Sequence, residues 1–581
     1  MLKQVVKCWK GIIALGLAAS LILSTPVLAA ETALPEVRTL LQEDYVDPVS
    51  SDVLSAPTIA ETLTKLGDPH TIYFTAKQYQ DFINSIDMTF SGIGVYIELV
   101  SEGIRITSLI EGSPADEVGL KTGDIITEAT GQSLAGLSQD TAVGLLRGPE
   151  GSTVQITVKR GETTLNLQVS RRAIEVPTVE GKLIEGGIGY IAIHSFGTTT
   201  PAGFDQEVMD LKGKGAKAWI IDLRDNPGGY LTSALNLAGY FIGDKTALQT
   251  KDRNRTSTFP GVKQSILLSE PTMFLTNENS ASASEILTSV VKDYHKATII
   301  GNRTYGKGSV QSMFQFSDGS VLKMTIAKFF SPFGHEINKV GINPDVKIIN
   351  SDSEKTAELL LKGSVQPNSD HTGSVRVYVN NKFWEIPLDQ AKNTEFWQAY
   401  GELVSSLSPE NLQKGTEQGW LSFSNEDKTK LWPLYYPGYR EIKGLQGVPL
   451  DKKFIVTFGG PINWKSVTAE SLELIEKESG KRVPLNFTPL SDQQLQVIPT
   501  DLLEAGKTYW LITHPTILNQ DGTSLPDGAL AIIQTTASSS SSAKIQSNSS
   551  IQPKQSKKPQ GELLPLPDYG QAILDVKVKS K

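Results

Sequence analysis

Asn279-Ser280-Ala281-Ser282-Ala283-Ser284-Glu285 lies between an apolar run at 272–275 and a helical stretch from Ala283 to Val291. A serine delivered by a strand to a helix start sits where unpaired backbone N–H groups can stabilise negative charge. Its small neighbours, Ala281 and Ala283, leave room for a substrate carbonyl. Outward from this junction, residues 180 to 350 alternate strand-like runs (188–193, 219–223, 272–275, 298–300) with helical stretches. That alternation is an α/β pattern.

Two more segments of the same region carry chemistry. Asp222-Leu223-Arg224-Asp225-Asn226-Pro227-Gly228-Gly229 follows an apolar strand, and its paired glycines can adopt conformations closed to other residues. Such a turn can aim an N–H into the space beside Ser282, and two backbone donors there make an oxyanion hole, each worth about 3 kcal/mol. The other segment is Gly306-Lys307-Gly308-Ser309-Val310-Gln311. A serine hydroxyl needs a base, and none of the six histidines falls in these three segments. A lysine serves if it is neutral, which requires its reference pKa of about 10.4 to fall by roughly three units through burial. Lys307 is flanked by glycines that let the backbone bring it close, and Gln311, four residues on, can hold the amine. Each fragment alone also reads as a flexible turn or a surface loop. Their order and spacing together carry the argument.

In that order and spacing the chain resembles the carboxyl-terminal processing peptidases, a Ser-Lys family with a crotonase-like α/β core and an embedded PDZ domain. The matching motifs are Asp-Leu-Arg-x-Asn-x-Gly-Gly at 222–229, Ser-Ala-Ser-Ala-Ser-Glu at 280–285 and Tyr-Gly-Lys-Gly-x-Val-Gln at 305–311. The resemblance implies Ser282 as nucleophile, Lys307 as general base 25 residues on, and Gln311 as the orienting residue. It also implies an oxyanion hole from the N–H groups of Gly228 and Ala283, and a structural part for Asp293. Asp225 and Tyr230 stand at positions of the glycine turn that read as tolerant.

The likeness extends to Phe90-Ser91-Gly92-Ile93-Gly94-Val95, which resembles a PDZ carboxylate-binding loop, and to Gly112-Ser113-Pro114-Ala115 and Gly119-Leu120-Lys121-x-Gly123-Asp124. Gly92, Ile93, Gly94 and Val95 are the implied peptide-binding residues. Successive N–H groups of such a loop bind a peptide carboxylate while the peptide adds a strand to the sheet edge. Arg147 follows the expected groove helix and is the candidate that couples peptide occupancy to assembly of the Ser-Lys pair. Phe329-Phe330-Ser331-Pro332 and Gly341-Ile342-Asn343-Pro344-Asp345 resemble the end of the peptidase core, so the match covers about 31–363. Further on, 445–536 resembles a bacterial Ig-like domain of surface-layer type, on Val448-Pro449-Leu450-Asp451 and Leu503-x-x-Gly506-x-Thr508-Tyr509.

The expected fold is therefore multidomain: an α/β crotonase-like peptidase core with an inserted PDZ domain and a helical N-terminal segment, plus a C-terminal Ig-like β-sandwich. The expected boundaries are a signal peptide at 1–30, a helical segment at 31–85, the PDZ domain at 86–175 and the peptidase core at 176–350. A mixed connecting region at 351–435, the sandwich at 436–536 and a disordered Ser/Lys-rich tail at 537–581 follow.

Composition narrows the class. The chain of 581 residues carries a formal net charge of −8, which argues against a nucleic-acid protein, whose phosphate contacts want a basic face. Lys3, Lys7 and Lys10 precede an apolar run from Gly11 to Leu23, and Val27-Leu28-Ala29 offers a cleavage site, as in an export signal. That run is short for a membrane span, so no transmembrane anchor is expected after cleavage. The single cysteine, Cys8, lies in this leader, which leaves no disulfide and no Cys-based metal site. No metal or organic cofactor is implied. The expected protein is a bacterial, secreted or cell-wall-associated serine endopeptidase acting on substrates with accessible C-termini, with a cell-envelope polymer as a possible further partner. The competing readings are a catalytically inactive surface adaptor that binds peptides or envelope polymers, and a Ser-His-Asp hydrolase of another fold.

Overall fold

A computed structural model describes residues 27–365, 371–537 and 573–577. Most of the expected export signal (1–26) and most of the expected tail fall outside the described residues.

Six strands form the central sheet, in the order Val179–Ile184, Ile188–Ile193, Ala218–Asp222, Thr272–Thr276, Thr298–Gly301, Val346–Lys347. The first pair is antiparallel and the remaining pairs are parallel. The inner strands are apolar at consecutive positions because both faces of the sheet are covered. Ile191, Trp219, Ile221, Phe274 and Ile299 pack in one buried cluster with residues of the helices Thr200–Gly213, Leu231–Ile242 and Ala283–Asp293. Ile220, Met273, Leu275 and Ile300 belong to a second cluster, shared with the helix Ser353–Val365 and the region beyond it.

A second sheet stands beside the first. Its centre is an antiparallel ribbon of Ser309–Gln315 and Val321–Phe330. The ribbon is held from the N-terminal side, since Leu34, Val37, Leu40 and Leu41 pack with Phe314, Phe316, Leu322 and Met324. Phe82 and Ile86 of the helix Ala76–Ile86 pack with Met313 and Val321. Within the expected tail, Ile573–Lys577 is a strand, paired parallel to Ser309–Gln315. The period-two alternation Leu574, Val576, Val578 against Asp575, Lys577, Lys579 is the physical reason a strand is available there.

The inserted domain is a sheet in the order Val95–Val100, Gly103–Leu109, Ile125–Ala129, Thr153–Arg160, Thr163–Ser170, with a helix Gln139–Leu146. A two-stranded ribbon, Thr89–Gly92 with Arg172–Glu175, joins it to the core. Arg171 ties this joint to the helix: its guanidinium donates to the carbonyls of Leu145, Leu146 and Thr153, each at 2.9 Å. A cation at the last turn of a helix satisfies carbonyls that have no partner within it.

Residues 374–422 add a four-stranded sheet, and 440–535 form a five-stranded and a three-stranded sheet. The stretch between peptidase core and terminal sheets is not a linker. Trp397, Tyr400, Tyr435 and Trp510 belong to the same buried cluster as the central strands. Ring centroids of Trp397 and Tyr435 lie 4.2 Å apart, and both lie 5.6 Å from Trp510.

Candidate active site

The site forms where three turns at the ends of central strands meet. Ser282 precedes the helix Ala283–Asp293 with φ 55° and ψ −109°. For a residue with a Cβ this backbone costs about 1–3 kcal/mol and persists only where its surroundings over-determine it. Those surroundings are on both sides of the serine. Its N–H donates to the Glu285 carboxylate at 2.9 Å, and Ala281 N–H donates to the Asn226 carbonyl at 3.1 Å.

Glu285 is the hub. One carboxylate oxygen accepts from Ser282 N–H at 2.9 Å and from Lys307 N–H at 2.8 Å. The other accepts from the Thr304 hydroxyl at 2.6 Å and Gly306 N–H at 2.7 Å. Because two backbone nitrogens share one oxygen, Ser282 N and Lys307 N lie within two hydrogen-bond lengths of each other. Burial pushes the Glu285 carboxyl above its ordinary value, and the four donors hold it back toward the ionised form. In the sequence, Glu285 stands out only as the last residue of the Ser-Ala-Ser-Ala-Ser-Glu motif. The signal that could have found it is a glutamate three residues past a helix-start serine, a capping-box spacing.

Lys307 is 2% exposed and Ser282 and Gln311 are fully buried. The glycines beside Lys307 are required by contact. A Cβ on Gly308 would lie 2.4 Å from Asn338 N, and one on Gly306 would lie 3.0 Å from Gly341 N at a φ of +93°. Gln311 donates through Nε2 to Ser309 Oγ at 2.9 Å and Thr325 Oγ1 at 3.1 Å. Its Oε1 is buried with no hydrogen-bond partner among the described residues. An orphaned buried acceptor costs about 1–3 kcal/mol, so this oxygen is poised for a donor.

Gly228 comes against the serine turn. A Cβ there would lie 2.8 Å from Ala281 O and 2.9 Å from both Ala283 N and Ser282 Cβ. Its own N–H donates to Asn226 Oδ1 at 2.8 Å, while Asn226 Nδ2 donates to Ile193 O at 2.7 Å. Gly228 N–H therefore has an acceptor within its turn, which an oxyanion has to displace or share. Ala283 N is at the first helical position, where no intrahelical acceptor exists.

The rest of the first motif is structural. Buried Asp222 accepts from Tyr190 OH at 2.7 Å and from Arg224 Nε at 2.9 Å. Burial pushes the Asp222 carboxyl up, but the Arg224 guanidinium outweighs it and holds the group below its ordinary value. Arg224 also reaches Ser353 Oγ and Asp352, at the start of the next helix. Asp225 is not idle: at φ 61° it accepts from Asn277 Nδ2 and Asn279 Nδ2, each at 2.8 Å, and so joins two of the turns. Tyr230 opens the helix Leu231–Ile242 and packs beside Phe82 and Met313.

A Ser-His-Asp grouping exists elsewhere but is a turn brace. Ser331 Oγ donates to Asp293 Oδ2 at 2.5 Å, Phe333 N–H donates to the same oxygen at 2.9 Å, and His335 Nδ1 faces both Ser331 Oγ and Asp293 Oδ1. One ring nitrogen cannot relay between them, and the serine proton already belongs to the carboxylate.

In the inserted domain, Ile93 O accepts from Ala115 N–H at 2.8 Å and Gly94 O from Ile110 N–H at 3.1 Å. Gly94, at φ +81°, is pressed on Ser113, where a Cβ would come within 2.3 Å of the serine Cβ. Val95 begins the strand at the sheet's edge. Arg147, at the end of the groove helix, stacks over the Phe90 ring at 5.0 Å, on the ribbon that leads to the core.

Glu285→Gln tests the hub. An amide NH2 set toward the Thr304 hydroxyl, which can accept from it, still faces Gly306 N–H and orphans that donor at about 1–3 kcal/mol; set the other way it faces the N–H groups of Ser282 and Lys307. The expected result is a melting temperature lowered by several degrees and kcat lowered roughly ten- to hundred-fold with KM little changed. Equal kcat for variant and unmodified protein removes Glu285 as the positioning residue.

Comparison with known proteins follows the same division. Residues 187–348 match the model of peptidase family S41, and residues 91–170 match that of a PDZ domain. A probable CtpA-like serine protease of Staphylococcus aureus (strain MRSA252) is 36% identical over 398 residues, 68% of this chain and 79% of that protein. This alignment is longer than the segment 31–363 that carries the motif resemblance. A probable CtpA-like serine protease of Staphylococcus epidermidis is 35% identical over 311 residues, 53% of this chain and 63% of that one. The solved photosystem II D1 C-terminal processing protease is 24% identical, covering 58% of this chain and 96% of its own, at a TM-score of 0.38. That likeness is too partial to add to the sequence matches. The identity to the first staphylococcal protein, sustained over most of its length, is decisive: this chain belongs to the CtpA-like, carboxyl-terminal processing serine peptidases of family S41.

Proposed function

We propose that this chain is an exported endopeptidase that takes peptide C-termini into its PDZ groove and cleaves through an acyl-enzyme on Ser282. Lys307, as a neutral amine, removes the Ser282 hydroxyl proton as Oγ attacks the scissile carbonyl. The N–H groups of Ala283 and Gly228 receive the oxyanion, and Gln311 Oε1 accepts a hydrogen bond from the amine. The tetrahedral intermediate collapses, the lysine ammonium gives its proton to the leaving amine, and the C-terminal fragment departs. Water, deprotonated by the same amine, then hydrolyses the ester.

The carrying observation is that the N–H groups of residues 282 and 307 share one oxygen of Glu285. Digestion of casein by unmodified protein and by Ser282→Ala tests the reading. Cleavage by the unmodified protein and complete loss in the variant are expected; cleavage by neither assigns the chain to the inactive-adaptor class, and cleavage retained in the variant assigns another nucleophile.

Arg147 is read as the coupling residue, because its stack on Phe90 joins the groove helix to the connecting ribbon. Arg147→Ala is expected to lower cleavage several-fold while a C-terminal peptide still binds; equal activity across substrates ends that assignment. The fold of the core is read as crotonase-like. The sheets of 440–535 are read as an Ig-like module that spaces or binds the enzyme at the cell envelope. Among the described residues no helix is long and apolar enough to cross a membrane.

A further inference from the structure

The strand Ser309–Gln315 has two neighbours. On one side runs its antiparallel partner Val321–Phe330. On the other, Ile573–Lys577 runs parallel to it, with Gln311 opposite Ile573, Ser312 opposite Leu574 and Phe314 opposite Lys577. The same segment also meets the helix Leu231–Ile242, which opens directly after Gly228-Gly229-Tyr230. It therefore lies between the strand that carries Gln311 and the helix that follows the glycine turn. Ser282, Lys307 and Gln311 are all buried in this arrangement.

We propose that this edge is a strand-addition site for peptides, filled by the chain's own segment 573–577, which restrains the peptidase until it is displaced. The proposal rests on the catalytic reading of Ser282, Lys307 and Gln311 given above.

Three physical arguments support it. An open strand edge presents unpaired N–H and C=O groups and accepts any extended segment through main-chain bonds. The segment has the alternation of a half-buried strand, with Leu574, Val576 and Val578 out of phase with Asp575, Lys577 and Lys579. Finally, the connection from Thr535 is long enough: residues 536–572, at about 3.3 Å each when extended, reach on the order of 100 Å. Covalent linkage within reach holds such a segment at roughly millimolar effective concentration, so a strand with a Kd of about 0.1 mM fills the edge about nine-tenths of the time.

The test uses the full chain with Leu574→Pro and Val576→Pro together, which removes two main-chain donors from the added strand. Two readouts are needed. In a Ser282→Ala background, hydrogen exchange at residues 310–314 reports the pairing whether or not the enzyme turns over. Faster exchange in the double-proline chain is expected. With Ser282 intact, kcat/KM for a short quenched peptide is expected to rise about ten-fold, and a synthetic peptide of residues 571–581 is expected to reverse the rise competitively. Unchanged exchange overturns the site. Faster exchange with unchanged kcat/KM overturns the restraint. Specific activity of the unmodified protein that rises on dilution overturns the same-chain arrangement in favour of a second copy. Absence of any activity while exchange responds as expected refutes the catalytic reading and leaves the strand site standing.

Discussion

Lys307→Met is expected to lower kcat/KM by roughly 10⁴-fold or more, about 5.5 kcal/mol of transition-state stabilisation, without lowering the melting temperature. Methionine keeps most of the length of the side chain and removes only the amine. Lys307 is 2% exposed, and an apolar side chain of similar volume leaves no amine to desolvate there. The backbone bond from Lys307 N–H to Glu285 survives the change, so the loss reports proton transfer and not collapse of the turn. The pH dependence follows the same logic with a definite sign. Only the neutral amine accepts the serine proton, so acylation rises about ten-fold per pH unit below the pKa of the amine and levels off above it. The rate measured under chemistry-limited conditions from pH 6 to 9 should therefore climb, and the residual rate of Lys307→Met should lose that slope. A flat profile in the unmodified enzyme, or a variant keeping a tenth of the activity, sinks the assignment of the base.

The peptidase family and the PDZ domain were legible because their motifs are dense in glycine and small residues whose reasons are local. Gly228, Gly306, Gly308 and Gly94 each sit where a Cβ would meet backbone or a packed side chain, and such constraints survive as residue identity at fixed spacing. The region from 351 to 435 was not legible for the opposite reason. Its strands are short, and its residues Trp397, Tyr400 and Tyr435 belong to one buried cluster with residues as distant in sequence as Ile220 and Trp510. No local periodicity announces such packing. The strand at 573–577 was missed because serine and lysine around it suggested solvation, and a five-residue alternation stands out only once an edge exists to receive it.

Within the candidate site, the sequence located the groups proposed to do the chemistry better than the groups that hold them. Ser282, Lys307 and Gln311 are singled out by chemistry. Glu285, Asn226 and Asp225 act through hydrogen bonds to the backbone and side chains of other turns, to 282, 306 and 307, to 281 and 284, and to 277 and 279. Their roles depend on three turns meeting in space, which spacing along the chain does not encode. Asp225, which read as tolerant, is one of the ties between them.

Gly228→Ala is expected to cost roughly 10²–10³ in kcat, the scale of one lost oxyanion donor, and the mechanism of loss can be separated from strain. At φ +107° the added Cβ is unfavourable in its own right, by about 1–3 kcal/mol. It also meets Ala281 O, Ala283 N and Ser282 Cβ at 2.8–2.9 Å, so relief requires the glycine turn to move away from the nucleophile and carry its N–H with it. Gly243 provides the control. It ends the helix that starts after the same turn, has φ +65°, and a Cβ there meets nothing within 4 Å. Gly243→Ala should therefore lower the melting temperature by a comparable amount and leave kcat nearly unchanged. The bond from Gly228 N–H to Asn226 Oδ1 sharpens the expectation. A developing oxyanion is a stronger acceptor than a neutral amide oxygen and draws the N–H toward it, so the donor acts in the transition state more than in the ground state. KM should then barely move while kcat falls. A variant whose kcat matches that of Gly243→Ala would leave the helix-start N–H of Ala283 as the sole backbone donor and reduce Gly228 to a spacer.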